Sequence, residues 1–113
     1  MGKLTTHVLD THAGKPAKGL KIELWQNGQC IKSVITNDDG RVDGPILEAE
    51  AFKPGKYELH FHAGAYLKAQ GQALPEPLFL DVIPIAFGIA DASSHYHVPL
   101  LLSAHGYSTY RGS

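Results

Sequence analysis

Imidazoles can exchange protons near neutral pH and a guanidinium can hold an anion, and this chain gathers both groups near one end. The run His95-Tyr96-His97-Val98-Pro99-Leu100-Leu101-Leu102 leads, after a short break, into Tyr107-Ser108-Thr109-Tyr110-Arg111-Gly112-Ser113. If residues 95–102 form a strand, His95, His97, Pro99 and Leu101 share one face, while Tyr96, Val98, Leu100 and Leu102 share the other. One face is then apolar core and the other is chemical. The same alternation groups Ser108, Tyr110 and Gly112, with Thr109 and Arg111 opposite, and an antiparallel pairing of the two segments brings His97 near Ser108 or Tyr110. The chain end adds a carboxylate to this group. A third imidazole, His7, shares a strand face with Thr5 and Leu9, while Leu4, Thr6 and Val8 point the other way.

The ordinary reading of each residue competes with the chemical one. Seven histidines occur in all, and an isolated strand histidine is more often a satisfied structural residue than a base. His12 and His105 fall in loops, where solvation is expected. His60/His62 and His95/His97 each place two imidazoles on one strand face, as a metal site would require. No acidic residue or cysteine stands at an obvious third-ligand spacing, so no metal is expected. Arg41 follows the turn Asn37-Asp38-Asp39-Gly40, where a solvated side chain is the default. Asp38, Asp39 and Asp43 around it lack the full spacing of a calcium loop with its distal glutamate. There is no glycine-rich phosphate loop, serine elbow or CxxC pair.

The elements that must position these residues are short strands broken by turn signals, the pattern of a small all-β sandwich. Residues 4–9 read as a strand closed by a turn over 10–16. Residues 20–25 alternate and run into Asn27-Gly28, a strong hairpin signal, with the partner at 30–36. Tyr57, Leu59 and Phe61 alternate with Glu58, His60 and His62. Residues 64–71 form the one plausible helix. A further apolar strand spans 78–89, where Pro84 demands a bend or an edge.

Length and charge narrow the class. A chain of 113 residues, 43% hydrophobic, suits one domain over residues 1–113, and a domain of this size gains from oligomerisation. Ten basic and eleven acidic residues give a net charge of −1 without a run of either sign, so neither nucleic acid nor an anionic membrane is favoured. The single cysteine, Cys30, forms no internal disulfide, and the first residues lack a signal-peptide pattern, so a cytoplasmic location is expected. The longest apolar stretch, 78–90, contains Pro84 and stops at Asp91, short of the ~18 residues a membrane helix needs.

Three blocks together resemble the 5-hydroxyisourate hydrolases, a transthyretin-like family of urate degradation. They are Leu4-Thr5-Thr6-His7-Val8-Leu9-Asp10 with Gly14-Lys15-Pro16-Ala17, Thr36-Asn37-Asp38-Asp39-Gly40-Arg41, and the terminal His95-to-Leu101 and Tyr107-to-Ser113 segments. The resemblance covers nearly the whole chain, and Tyr110-Arg111-Gly112-Ser113 is its most specific part. It implies a transthyretin-like (prealbumin-like) sandwich of two four-stranded sheets with one short helix, assembled as a homotetramer with sites in a channel between dimers. It also implies hydrolysis of a small molecule, 5-hydroxyisourate, to its ring-opened ureidoimidazoline, without a cofactor. His7, Arg41 and His97 fall on the family's catalytic positions, and Ser108, Tyr110, Arg111, Gly112 and Ser113 join His7 and Arg41 in contacting substrate. Ala104-His105 departs from a proline common in the family, and Leu78-Phe79-Leu80-Asp81 from a more aromatic segment. A ring amide opens when water is activated, the oxyanion is stabilised and the leaving nitrogen is protonated, tasks that two histidines and an arginine can share. Two other classes remain open: a transthyretin-like carrier of an apolar ligand and a metal-binding β-sandwich.

Overall fold

The computed structural model describes residues 2–112. β1 (Lys3–Asp10) buries Leu4, Thr6, Val8 and Asp10 and turns Thr5, His7 and Leu9 outward. β8 (His95–Leu102) buries Tyr96, Val98, Leu100 and Leu102 in the same way, and buries Pro99 of the other face as well. Both follow the period of two that their apolar residues predict. The two strands lie side by side and parallel, with Thr5 opposite His97 and His7 opposite Pro99. β9 (Tyr107–Thr109) extends this sheet antiparallel to β8. On the far side, β1 pairs with two short strands, β2 (Lys15–Pro16) and β5 (Leu47–Glu48).

The second sheet is antiparallel throughout, in the order β4 (Gln29–Ile35), β3 (Lys21–Gln26), β6 (Gly55–His62), β7 (Val82–Ile89). Asn27 and Gly28 both take positive φ and turn the β3–β4 hairpin, as expected of that dipeptide. Leu4, Val8, Leu100 and Leu102 of the first sheet join Ile22, Leu24, Leu59, Phe61 and Ile83 of the second in one core. The all-β sandwich with one short helix therefore stands as the sequence implies.

Details differ for local reasons. β5 makes the first sheet five-stranded rather than four-stranded, because a two-residue strand has no period to read. The helix α1 spans Ala63–Ala69, starting directly where β6 ends. β7 begins at Val82 and not at residue 78, because the Asp81 carbonyl accepts the Gly64 N–H at 2.9 Å and so caps the helix instead of entering the ladder. Pro84 lies in β7, which is an edge strand. There the missing N–H costs little.

Asp10, 1% exposed at the end of β1, ties the helix to the chemical sheet. Its carboxylate accepts the Tyr66 hydroxyl at 2.8 Å and the Ala13 N–H at 2.9 Å. Burial and this carboxylate raise the Tyr66 pKa well above a free phenol, as expected when the charged form is desolvated beside an anion. Tyr66→Phe leaves the buried carboxylate short of a donor, so urea denaturation should show a loss of about 1–3 kcal/mol. A variant as stable as the parent would mean that water replaces the hydroxyl.

Candidate active site

The register of β1 on β8 builds a chemical face on the outside of the first sheet. Directly paired residues project to the same side, so Thr5 stands beside His97, His7 beside Pro99 and Lys3 beside His95. Thr5 Oγ1 lies 2.7 Å from His95 Nε2 and 2.8 Å from His97 Nδ1. One hydroxyl therefore joins two imidazoles.

Arg41 reaches this face by a loop that fills a gap in the sheet edge. β5 pairs with residues 3 and 4 of β1, and β2 with residues 9 and 10, leaving the middle of the strand open. The Val8 N–H there donates to the Gly40 carbonyl at 2.8 Å. Gly40 has φ +74°, and a Cβ on it would collide with the Val8 carbonyl oxygen. Glycine is thus needed for both conformation and approach. The Asn37 side-chain oxygen accepts the Asp39 and Arg41 N–H groups at 2.9 and 3.2 Å, and the Asn37 N–H donates to the Arg41 carbonyl at 2.6 Å. The turn that reads as a plain solvated loop is a fixed mount for Arg41. A cavity of about 430 Å³ opens between Arg41, Pro45, Lys3, Thr5, His95 and His97, and His7 follows Thr5 along the same face.

The tail segment divides. Gly112 lies opposite His97 and donates its N–H to the His97 carbonyl at 2.7 Å. A Cβ at Gly112 would stand 2.5 Å from His97 Cδ2, so the imidazole is packed on bare backbone. Ser108 is exposed opposite Leu101, further along the sheet. Arg111 points away from the imidazoles: its guanidinium carbon lies 4.0 Å above the Tyr96 ring, and Nη2 donates to the His95 carbonyl at 3.3 Å. Tyr110 is exposed and lines, with Arg111, a separate cleft of about 200 Å³ that includes Phe87 and Tyr96. The strand alternation already sets Arg111 opposite Gly112, and this placement makes it a fastener of the tail rather than a side chain of the His7–His97 face. Ser113 lies outside the described residues.

His7, Arg41, His97 and Gly112 thus meet on one face, and Thr5 and His95 join them. The reading from sequence gives Thr5 no role and His95 only that of half a metal pair, because their contact depends on strands distant in the chain. The other His-x-His pair is satisfied by carboxylates, His60 Nε2 by Glu58 and His62 Nε2 by Glu23, each at 2.8 Å. The His60 ring also stacks on Trp25. Among the described residues, no three histidine, cysteine or acidic side chains converge to hold a metal ion. None of the helices described is long and apolar enough to cross a membrane.

Residues 4–112 match the model of the HIUase/Transthyretin family. The chain belongs to that family. The 5-hydroxyisourate hydrolase 2 of Rhizobium meliloti (strain 1021) is 61% identical over 116 residues, covering 99% of this chain and 97% of the relative. Among solved structures, the 5-hydroxyisourate hydrolase of Klebsiella pneumoniae superposes with a TM-score of 0.86 at 33% identity, and each chain is covered in full, 100%. An (S)-allantoin synthase superposes with a TM-score of 0.93 at 44% identity over 99% of this chain, which spans only 44% of that longer one.

In this HIUase/transthyretin family member the electrostatics of the face act in one direction. Burial, followed by the Arg41 charge, lowers the His7 pKa below the ordinary histidine value, while a hydrogen bond to the Asp39 backbone and the Asp39 charge oppose the shift. His97 is lowered by burial first, then by Arg41, His95 and His7. Folding therefore favours the neutral imidazoles, and the unfolded chain binds more protons once pH falls below about 6.5. Their contribution to stability is full above that pH and is lost as pH drops from there through the lower folded values. Replacing Arg41 with glutamine removes the second cause at both sites, so NMR titration should find both histidines moved upward. Unchanged titrations would show that the guanidinium lies too far away to act.

Proposed function

We propose that this chain hydrolyses 5-hydroxyisourate on the His7–Arg41–His97 face. The observation that carries the reading is the convergence of two neutral imidazoles and one permanent cation on a face that a carrier of apolar ligands would leave unpolar. Arg41, held by its turn, binds the anionic purine-derived ring and the oxyanion that forms as water adds to the ring carbonyl. One imidazole takes the proton of the attacking water and an N–H delivers a proton to the leaving nitrogen. Histidine and arginine supply base, acid and charge, so the reaction needs neither metal nor cofactor.

The remaining parts of the reading follow from an open face. Residues 1–113 act as one domain, four copies assemble as a homotetramer, and the apposed sheets form a channel between dimers along the His7–His97 face. Of the tail residues, Gly112 borders the substrate beside His97, while Ser108, further along the sheet, and Tyr110, in the separate cleft with Arg111, reach a substrate only where a second copy closes the channel. Arg111 serves the site by fastening that tail against Tyr96. A cytoplasmic enzyme without nucleic-acid or membrane partners is in keeping with the balanced charge.

The test generates 5-hydroxyisourate from urate with urate oxidase and follows its decay with and without the protein. The chain should accelerate decay before and after exhaustive chelation. His7→Ala, Arg41→Ala and His97→Ala should each cost on the order of 10²-fold or more in rate, whereas His60→Ala, whose ring sits on the other sheet, should stay close to wild type. A His60→Ala loss as large as that of His97→Ala would overturn the assignment, and activity that vanishes with chelation and returns with zinc would restore the metal reading.

A further inference from the structure

The Thr5 hydroxyl lies between two imidazole nitrogens and has one proton to give and two lone pairs with which to accept. Two bare nitrogens cannot both be satisfied by it, so at least one of His95 Nε2 and His97 Nδ1 carries a hydrogen. The geometry of His97 selects the arrangement. Its Nδ1 edge is on Thr5 and its Cδ2 side is on Gly112, which leaves Nε2 at the end of the ring away from the sheet. Arg41 lines the same cavity as His97, and a lone pair facing a guanidinium is favoured over an N–H.

We propose that Thr5 is a positioning residue that keeps His97 protonated on Nδ1 and connects it to His95 as a proton relay: His97 Nδ1–H donates to Thr5 Oγ1, and the Thr5 hydroxyl donates to His95 Nε2. Nε2 of His97 is then the bare nitrogen presented to water. When it takes a proton from the attacking water, the Nδ1 proton moves to Thr5 Oγ1 and the former hydroxyl proton moves to His95 Nε2. One N–H and one O–H break, one O–H and one N–H form, and His95, exposed to solvent, carries the positive charge. His97 is left neutral with its proton on Nε2, where it can be given to the leaving nitrogen while the chain of transfers runs back. One imidazole thereby serves as base and then as acid, and the charge passes from half-buried His97 to the exposed His95. The other charged or titratable groups around the relay are Arg41 from its loop, Lys3 and His7 on β1, and Arg111, whose Nη2 is on the His95 carbonyl.

The catalytic use of this relay rests on the hydrolase reading, but the tautomer does not. Nitrogen-15 NMR of the imidazoles of the wild-type protein, at a pH above the histidine range, should find His97 protonated at Nδ1 and bare at Nε2. Thr5→Val keeps the branched shape without the hydroxyl and should lose that preference, with kcat down by about tenfold or more and KM little changed, within the range of general acid–base effects. Thr5→Ser should restore both tautomer and rate. His95→Ala should also lower kcat, with partial recovery as imidazole is added to the buffer. His97 protonated on Nε2 in the wild type, or Thr5→Val retaining full kcat, would overturn the proposal. A wild-type protein without hydrolase activity but with the expected tautomer would sink the functional reading and leave the hydrogen-bond assignment standing.

Discussion

Everything at the chemical face depends on one pairing, the parallel alignment of β1 with β8. Thr5 faces His97 and His7 faces Pro99 only in this register. A slip of β1 by one residue would send Thr5 and His7 into the core and bring Leu4 and Val8 out, away from His97. The apolar residues that drive the two sheets together therefore also fix the imidazoles, since the fully buried Leu4, Val8, Leu100 and Leu102 hold the register from the inner side. Stability and chemistry share two strands and occupy opposite faces of them.

The third component comes from outside the ladder. Arg41 is carried on a turn whose carbonyl at Gly40 takes the place of a strand partner for Val8. The turn completes the hydrogen bonding of an interrupted edge and in doing so sets a cation next to two half-buried histidines. Burial and that cation both disfavour a charged imidazole, so the face is poised with neutral bases and one fixed positive charge. The Gly112 backbone, packed on the His97 ring, keeps the imidazole upright without adding bulk at the site.

Much of this is legible in the residues themselves. The alternation in 4–9 and 95–102 sorts inward from outward positions except at Pro99, which is buried, Asn27-Gly28 marks its hairpin, and Pro84 marks an edge. Local period carries no information on which strands pair, so the contacts of Thr5 with His95 and His97 are invisible to it. The same limit hides β5, which is too short to show a pattern, and the capping of α1 by Asp81, which ends the expected strand early. Arg111 illustrates a different limit. Its type promises anion binding, but its place in the alternation turns it toward Tyr96, where a ring face and the His95 carbonyl take up the guanidinium.

The claim that neutral imidazoles under the influence of Arg41 perform the hydrolysis is tested most directly by the pH dependence of kcat/KM for 5-hydroxyisourate, which reports the ionisation of groups in the free enzyme. The expected profile is level around neutrality and falls on the acid side with a midpoint below the ordinary histidine value of about 6.5. A midpoint at or above that value, or a rate indifferent to pH across the histidine range, would contradict it.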